Sequence, residues 1–480
     1  MEPLTWTGSL SFLNPILLIA LIACAVSIII WMLVNVALPE ESITVSADSP
    51  ISHGYGPRVL SVRASQYSFL AVVVLVCIYL VVGIFIGPNA GIIGAMSRQF
   101  LPVWVALVIL FASSIAFRRK LGLYGKLFDS PVGMIGFGLV MFWVFTGIFG
   151  AMDMIVTHDA LSQVSGMKNK APGTPMRGDA DGNYAWYLLG GDNLARDVFS
   201  RMVKGAWIVV QIAPLATMFA FMVGITLGLP AGYYGGRLDM LLSFLANLIL
   251  AFPVILLFYL LVTPEIVATG VPNYMAIVLF IFPLIFVGVL LNSRFHTQPG
   301  FRTPLLIGVL GVLGWLYLSL ISDAGSKVMV LPEFLDIFDI PGGVLVVFVS
   351  VVFVNSPTVF RIVRGLAMDI KTRDYVAAAQ TRGEGPWYIM LWEILPNARG
   401  PLIVDFCLRI GYTTILLGTL GFFGLGLPPE SPDWGSTING GRKLLSVYLH
   451  PALTPAITLL TLVLGLNLLA DGLREESLKD

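Results

Sequence analysis

Charged residues are scarce in this chain of 480 residues, since only 12% are Asp, Glu, Lys or Arg while 57% are hydrophobic. Soluble domains carry about 25% charged residues. Half that share, with a mean hydropathy of +0.88, excludes an ordinary soluble protein and indicates a membrane protein with several spans. The formal net charge is zero, so the basic excess typical of nucleic-acid-binding proteins is missing and we expect no nucleic-acid partner.

Residues that bind metals or form disulfides are also few. The three cysteines lie in apolar segments without motif spacing, so we expect buried thiols rather than disulfides or a zinc site. The four histidines are scattered over loops and span ends without ligand spacing. The nucleotide-binding motif Gly-x-x-x-x-Gly-Lys-Ser/Thr does not occur. We therefore expect no catalytic, metal or cofactor site and no enzyme activity, and an ATP-driven function would need an ATPase on another chain.

Long apolar runs are what the sequence has in abundance. An α-helix needs about 20 apolar residues to cross a bilayer, and a scan at that length gives eleven candidate spans. They are Pro15–Leu38, Tyr67–Ile86, Leu101–Phe117, Val132–Ala151, Ala206–Leu229, Met240–Val262, Tyr274–Leu291, Pro304–Ile321, Val344–Val363, Leu402–Gly424 and Pro451–Leu469. The predicted fold is therefore all-α, a polytopic bundle of membrane-spanning helices.

The charges of the connecting loops orient these spans, because short loops rich in Lys and Arg stay in the cytoplasm. The loop after the third span holds Arg118, Arg119, Lys120 and Lys126, which places it inside. Counting from there puts the N-terminus outside and the C-terminus in the cytoplasm. The segment Asp153–Arg201 is outside by this count although it carries five basic residues. Because the rule weakens for long loops, the assignment is kept.

The stretch from Asp374 to Pro396 is polar although predicted spans flank it. The Ala377–Ala379 run favours a helix, Gly383 suits the end of that helix, and Pro386 suits the first position of a second one, which Pro396 should stop. The spacing i, i+3, i+4 and i+7 puts four apolar residues on one face of the second helix. These are Trp387, Met390, Leu391 and Ile394. The pattern predicts a helix pair at the membrane surface, either as a cap of the bundle or as a docking element for a partner.

This stretch resembles the cytoplasmic loop of importer-type ABC permeases, whose signature is Glu-Ala-Ala, then Gly, then Leu-Pro. The matching residues are Ala378, Ala379, Gly383, Leu395 and Pro396. Ala377 stands where the family has its glutamate, and Glu393 where it has an isoleucine. The resemblance implies that residues 371–396 form a coupling helix that docks in a groove of an ATPase subunit. Trp387 belongs to this element, and Arg373, Asp374 and Arg382 are the candidates to replace the charge contact of the missing glutamate.

Four further motifs resemble the dipeptide/oligopeptide branch of this family, which also transports opines and nickel. Gly190–Arg201 is similar to Gly-Thr-Asp…Gly-Arg-Asp-Val-x-Ser-Arg, with two substitutions. Gly232–Asp239 is similar to the turn Gly-Tyr-Tyr-Gly-Gly-x-x-Asp. Gly421–Gly435 resembles Phe-Leu-Gly-Leu-Gly…Pro-x-Trp-Gly, and Asn467–Arg474 resembles Asn-Leu-x-Gly-Asp-Gly-Leu-Arg. The motifs occur in the family's order.

Two of these motifs carry candidate site residues. The resemblance implies that the first helps to form the outer rim of the permease, whereas its pattern alone indicates a capped helix start with locally paired charges. Its residues are Asp192, Arg196, Asp197, Ser200 and Arg201. The glycine-rich run implies a gate or a lining of the translocation pathway, with tight helix packing as the alternative. Its residues are Phe422, Gly424, Gly426 and Trp434.

The resemblance covers Val132–Val262 and Val344–Asp480, and it implies the six-span core of the family. The remaining five spans divide the chain. Residues 1–130 are expected to be an N-terminal extension with three spans, and residues 131–480 the permease domain. An insertion at about 264–342 carries two extra spans, which leaves the sidedness of the later loops unchanged.

The implied function is that of a transmembrane permease subunit in an ATP-driven, binding-protein-dependent importer of the inner membrane, for di- or oligopeptides or related small solutes. The implied partners are a second permease subunit forming a heterodimer, two ATPase subunits, an extracytoplasmic solute-binding protein and membrane lipid. The main alternative is a self-sufficient secondary transporter, which would concentrate charge or broken helices at mid-membrane. Asp405 and Arg409 lie within a span, but their i, i+4 spacing favours a structural ion pair.

Overall fold

The structure is a computed structural model, and it describes residues 2–37, 57–155, 158–176, 185–322, 331–337, 342–425 and 431–477. Over these residues the chain is almost entirely helical, and two short strands, β1 (Thr174–Pro175) and β2 (Trp186–Tyr187), pair antiparallel. Ten of the described helices are long and apolar enough to cross a membrane, and one bent pair makes an eleventh span. The predicted all-α, multi-span fold is confirmed.

The nineteen described α-helices follow one another along the chain. They are α1 (Asn14–Ala37), α2 (Pro57–Ile86), α3 (Gly91–Gln99), α4 (Leu101–Phe117), α5 (Gly122–Lys126), α6 (Pro131–Ala151), α7 (Val198–Tyr234), α8 (Gly236–Leu250), α9 (Val254–Val262), α10 (Pro264–Ala268), α11 (Val271–Arg294), α12 (Pro299–Ile321), α13 (Gly342–Ile370), α14 (Asp374–Thr381), α15 (Pro386–Tyr388), α16 (Leu395–Asn397), α17 (Arg399–Phe423), α18 (Trp434–Arg442) and α19 (His450–Ser477). A π-helix, Ile389–Ile394, lies between α15 and α16.

Helix α7 sets the height of the bundle. Its 37 residues, at 1.5 Å each, give a length of about 55 Å, well beyond the roughly 30 Å of a hydrocarbon core. The span predicted from the sequence, Ala206–Leu229, is only its apolar centre. We call the end of the bundle where α7 begins the upper end, and the end where α7 finishes the lower end.

Helix α13 packs against α7, and glycines in the lower half of α7 make the contact close. An added Cβ at Gly224 would lie 2.5 Å from Val359, and one at Gly228 would lie 2.9 Å from Val363. Small residues at i, i+4 spacing let two helix backbones approach in this way. The two helices therefore form one tightly packed unit that joins the upper and lower ends.

The predicted span Met240–Val262 is two helices rather than one. Helices α8 and α9 meet at an angle of 82°. The break lies at Pro253, which lacks a backbone N–H and disfavours helix in the residue before it. The start of α8 is tied to the lower part of α13 by Asp239 and Arg364, while Phe258 on α9 packs in the same core cluster as the first turns of α13. The bent pair thus still runs from the lower end to the upper part of the bundle.

The inserted helix α11 packs against α7 and α13 rather than standing apart. In its upper half the Phe280 ring lies 5.2 Å from that of Phe219 on α7 and 5.6 Å from that of Phe348 on α13. Its last residue, Arg294, lies at the lower end over the ring of Trp392. Helix α12 then returns to the upper end, where Ile321 joins the main core cluster.

Candidate functional site

The coupling segment, residues 371–396, lies at the lower end, where α7 and α13 finish. Helix α14 ends at Thr381, and Gly383 then adopts a φ of +78°, the left-handed conformation that glycine tolerates. No atom lies within 4 Å of the place a Cβ would take, so the backbone conformation rather than space requires glycine here. The second helix begins at Pro386, as the sequence predicts.

Pro396 does not stop the second helix, so that prediction is wrong. The backbone stays helical through Leu395–Asn397 and leads into α17. The six residues before Leu395, Ile389–Ile394, form a π-helix, in which each backbone hydrogen bond spans one residue more than in an α-helix. Pro396 is the second residue of α16, directly after the π-helix.

The face of the coupling segment that meets the bundle is apolar. On the second helix its buried members are Ile389, Met390, Leu391 and Ile394, each at most 4% exposed. They pack with the last turns of α7 and α13, and each such side chain contributes about 2 kcal/mol by burial. Three of the four predicted stripe residues are therefore buried, whereas Trp387 is 37% exposed at the edge.

The opposite face of the coupling segment is open to solvent and carries most of the predicted contact residues. Those exposed are Arg373, Asp374, Ala378, Arg382, Gly383, Trp387 and Pro396, with Leu395 half-buried. Ala379 is the exception, because it is fully buried against the protein itself. Ala379, which matches the family's coupling signature, therefore cannot itself touch a partner, and its small side chain lets α14 approach the bundle.

The predicted charge contacts are partly engaged within the chain. Arg382 pairs with Glu393 across the two helices at 3.0 Å, and Arg373 pairs with Asp369 at 3.1 Å. Exposed pairs of this kind are worth about 0–1 kcal/mol, so the arginines can exchange partners at low cost. Asp374 lies in the first turn of α14, where a carboxylate is favoured by the helix dipole.

Hydrogen bonds tie the coupling segment to the end of α7. The Lys371 ammonium donates to the carbonyls of Gly232 and Tyr233, at 2.7 Å and 3.2 Å. Gln380 donates its amide to the Tyr233 hydroxyl at 3.2 Å. A cation at the C-terminus of a helix is stabilised by the free carbonyls and by the dipole. The sequence showed the glycine and tyrosine motif but not its pairing with Lys371.

The five predicted rim residues form a buried network at the upper end. Asp192, Arg196, Asp197, Ser200 and Arg201 are each at most 8% exposed. Such buried side chains cannot themselves present a contact surface to a partner, and a part in forming the outer rim stays a prediction for them. The local alternative is partly right, since Asp192 and Arg196 form an ion pair at 2.7 Å and Asp197 caps α7 through the Ser200 N–H at 3.0 Å.

Arg201 joins three separate segments of the upper end. Its Nε donates to Thr437 Oγ1 at 2.9 Å, and its Nη2 to the Ser431 carbonyl at 2.9 Å and to Ser436 Oγ at 3.2 Å. Its Nη1 donates to the Ala160 carbonyl at 3.3 Å. The guanidinium therefore holds α18 and residue 160 against the start of α7. Its partners in and before α18 lie some 230 residues away in the sequence, so no local pattern could predict these bonds.

Burial shifts the acid–base behaviour of this network. Loss of solvation raises the pKa of the Asp197 carboxyl, against the opposing effects of the Ser200 hydrogen bonds and of His158. Burial also raises the pKa of Tyr187, with the negative charge of Asp197 adding to the effect. Both groups serve the packing of the upper end, and no reacting partner faces them in the contacts described above.

The candidate gate residues have unlike surroundings. Trp434 is 1% exposed, donates from its indole N–H to the Met202 carbonyl at 3.0 Å and meets the ring of Trp143, as a packing residue does. Phe422 is half-buried below Arg442, and Gly424 ends α17 in a left-handed conformation. Gly426 lies outside the described residues. Trp434 is therefore a residue of tight helix packing. That Phe422 and Gly424 line the translocation pathway stays a prediction.

Mid-bundle polar groups are paired rather than arranged for chemistry. Asp405 and Arg409 form the expected i, i+4 ion pair at 2.6 Å. Thr413 on α17 lies 3.3 Å from Thr217 and accepts from Asn355 at 3.4 Å, which links α17 to α7 and α13. Over the part of the chain that the structure describes, no three His, Cys, Asp or Glu residues come together in a way that could hold a metal ion.

Comparison with known proteins matches this architecture. A family described as the inner membrane component of binding-protein-dependent transport systems matches residues 224–475, slightly more than half of the chain. The glutathione transport system permease protein GsiD of Pectobacterium atrosepticum is 27% identical over 295 residues, 62% of this chain and 73% of that protein. The dipeptide transport system permease protein DppC of Haemophilus influenzae is 26% identical over 62% of this chain and 75% of its own length.

The relatives are transport permeases rather than enzymes, and the helices of this chain are those of a multi-pass inner membrane protein. The chain belongs to the family of inner membrane components of binding-protein-dependent transport systems, as a permease subunit of its peptide-transporting ABC importer branch.

Proposed function

We propose that this permease subunit imports di- or oligopeptides or related small solutes, and that residues 371–396 transmit the action of an ATPase subunit to the membrane helices. The observation that carries the second half is the coupling segment itself. It has one apolar face buried against α7 and α13 and one exposed face that carries charged residues. No nucleotide-binding motif occurs in the sequence, so the driving force must come from a partner.

The names of the relatives support the choice of substrate class. One is a glutathione permease, and others are permeases for dipeptides or for di- and tripeptides. All of these solutes are short peptides with free charged groups. Selectivity among them would rest largely with a solute-binding protein that delivers the peptide at the upper end, and a second permease subunit would complete the pathway.

Contacts at the two ends support the proposed orientation, with the N-terminus outside and the C-terminus in the cytoplasm. The Leu4 N–H donates to the Gly173 carbonyl at 2.9 Å and the Trp186 indole donates to the Glu2 carbonyl, which puts the first residues at the upper end. Gly472, near the end of α19, packs on Gly133 at the lower start of α6. The coupling segment lies at that same lower end, where the ATPase subunits would be.

The mechanism follows from how the two ends are joined. Closure of two ATPase subunits on ATP would push on the exposed face of α14 and the turn at Gly383. Lys371 and the apolar cluster pass this force to α7 and α13, whose close packing makes them move together. At the upper end Arg201 links α7 to α18, so a tilt of α7 would shift the segment that carries the candidate gate.

The test is the association of the purified chain with its ATPase subunit after the change Gly383→Ala with Trp387→Ala. Trp387 is an exposed aromatic of the kind that dominates interfaces, and alanine is strained at the φ of Gly383. We expect affinity to fall about tenfold or more, which corresponds to about 1.4 kcal/mol. Val447→Ala, an exposed apolar residue of the α18–α19 connection, is the matched control. Unchanged association in the double variant would contradict the docking role.

A further inference from the structure

The inserted helix α11 ends against the coupling segment. The indole N–H of Trp392 donates to Ser293 Oγ at 3.1 Å, and Ser293 is buried. The guanidinium of Arg294 lies 4.6 Å from the centre of the Trp392 ring, within the range of a cation–π interaction. Trp392 is thus held from two sides by consecutive residues of a helix that the six-span core does not include.

A second contact follows in the turn after α11. His296 Nε2 lies 3.9 Å from Glu384 Oε2, and the His296 ring meets the edge of the Tyr388 ring at 5.5 Å between centres. Glu384 belongs to the turn between the two helices of the coupling segment, and Tyr388 to the first turn of its second helix. The inserted stretch therefore contacts the coupling segment at the turn between its two helices as well as along its second helix.

A small cavity lies where α7, α11 and the coupling segment meet. Phe286 and Val289 of α11 line it together with Trp387 and Leu391 of the coupling segment, and its volume is about 10 Å³. That volume is close to the space that one water molecule needs. The contact is a packed interface of apolar side chains with polar contacts at its edge.

We propose that α11 is a transmission element, fastened to the coupling segment at its lower end and moving with it as one unit when the ATPase acts. The proposal rests on the coupling role proposed above and assigns a task to the inserted helices. In its upper half α11 packs through Phe280 against Phe219 and Phe348. It therefore offers a second route, parallel to α7, by which movement of the coupling segment reaches the upper half of the bundle. The alternative is that α11 stays in place while the coupling segment moves relative to it.

Cross-linking separates these two behaviours. In the complete transporter, with the three native cysteines replaced by serine, His296→Cys and Tyr388→Cys, two positions in ring contact, are joined by a short bifunctional thiol reagent in vesicles. If α11 and the coupling segment move together, ATP-driven peptide uptake stays within about twofold of the unlinked protein. A loss of tenfold or more on cross-linking, with each single-cysteine variant unaffected by the reagent, overturns the proposal.

A second measurement reports on force transmission directly. Ser293→Ala with Arg294→Ala removes both holds on Trp392 but leaves the exposed face of α14 intact. We expect that association with the ATPase is unchanged and that the amount of ATP hydrolysed per imported peptide rises several-fold. In Arg294→Lys, which keeps the cation, this ratio should return part of the way to the wild-type value. Thr303→Ala, in the first turn of α12, is the control because its hydroxyl bonds only to its own helix in the contacts described. A wild-type ratio, or loss of ATPase association, contradicts the proposal.

The two proposals fail in different ways. Unchanged ATPase association in the Gly383 and Trp387 variant removes the docking role of the coupling segment. The cross-link and the Ser293 and Arg294 variant instead test what moves after docking, and their failure leaves docking intact.

Discussion

Replacement of Arg201 by alanine is the sharpest test of how the upper end is held together. The guanidinium makes four hydrogen bonds, to Thr437, Ser431, Ser436 and Ala160, and it is fully buried. A hydrogen bond to a charged group contributes about 1.5–3 kcal/mol, and acceptors left buried without a donor add to the loss. Because some acceptors can recover water at the surface, and because the cost of burying the guanidinium charge is also removed, we expect a loss of about 3–5 kcal/mol, at the upper end of what single substitutions cost.

The assay is reversible unfolding of the purified protein in mixed micelles, monitored by circular dichroism. Thr437→Val removes one of the four bonds and should cost about 1 kcal/mol. The double variant should lose less than the sum of the two single losses, because Arg201 and Thr437 share a bond. Arg442→Ala, which removes a more exposed arginine of the same region, is the control. A loss below 1 kcal/mol for Arg201→Ala would refute the reasoning.

Three further predictions concern helix contacts and caps. Gly228→Val should lower the free energy of unfolding by about 1–3 kcal/mol through overpacking, since its Cβ would lie 2.9 Å from Val363. The measurement is the same unfolding assay, and Gly311→Val is the control because no atom lies near the place of its Cβ. Asp197→Ala should cost about 1 kcal/mol by loss of the α7 cap, whereas Asp197→Asn keeps the acceptor for the Ser200 N–H and should cost less. Because burial raises the pKa of Asp197, the native state binds the proton more tightly than the unfolded state. Stability from this group is therefore full below its ordinary pKa of about 3.9 and falls as the pH rises towards the raised value. An unfolding series across that pH window should show this slope in the wild type and not in Asp197→Asn, and an equal slope in both would contradict it.

Local patterns in the sequence predicted the parts of this molecule that depend on neighbouring residues. The length of the apolar runs predicted the spans, and Gly383 and Pro386 predicted the end of one helix and the start of the next. The i, i+4 spacing predicted the ion pair of Asp405 and Arg409. Each of these depends on residues within one helix turn or one bilayer thickness, so the physics that determines them is present in a short stretch of sequence.

The errors and omissions have a common cause in contacts between distant segments. Whether Ala379 faces a partner or the bundle depends on where α7 and α13 end, which no window of sequence contains. The π-helix that lets the backbone pass Pro396 likewise depends on how the coupling segment packs. The burial of Trp434 and three of the four bonds of Arg201 bring together residues more than 200 positions apart.

The inserted helices illustrate the same limit. Their length and apolar character were evident from the sequence, but their purpose was not. The role proposed for α11 rests on the placement of Ser293, Arg294 and His296 against the coupling segment, and none of the three forms a motif with Trp392 or Glu384 in the sequence.

The most direct test of the account is peptide uptake into vesicles that contain this chain with and without its partners. With a second permease subunit, the ATPase subunits and the binding protein, uptake should require ATP and should stop when residues 373–387 are replaced by a glycine and serine linker of equal length. This chain alone, given a proton or sodium gradient, should take up no peptide. Gradient-driven uptake by the chain alone would contradict the account and establish a secondary transporter instead.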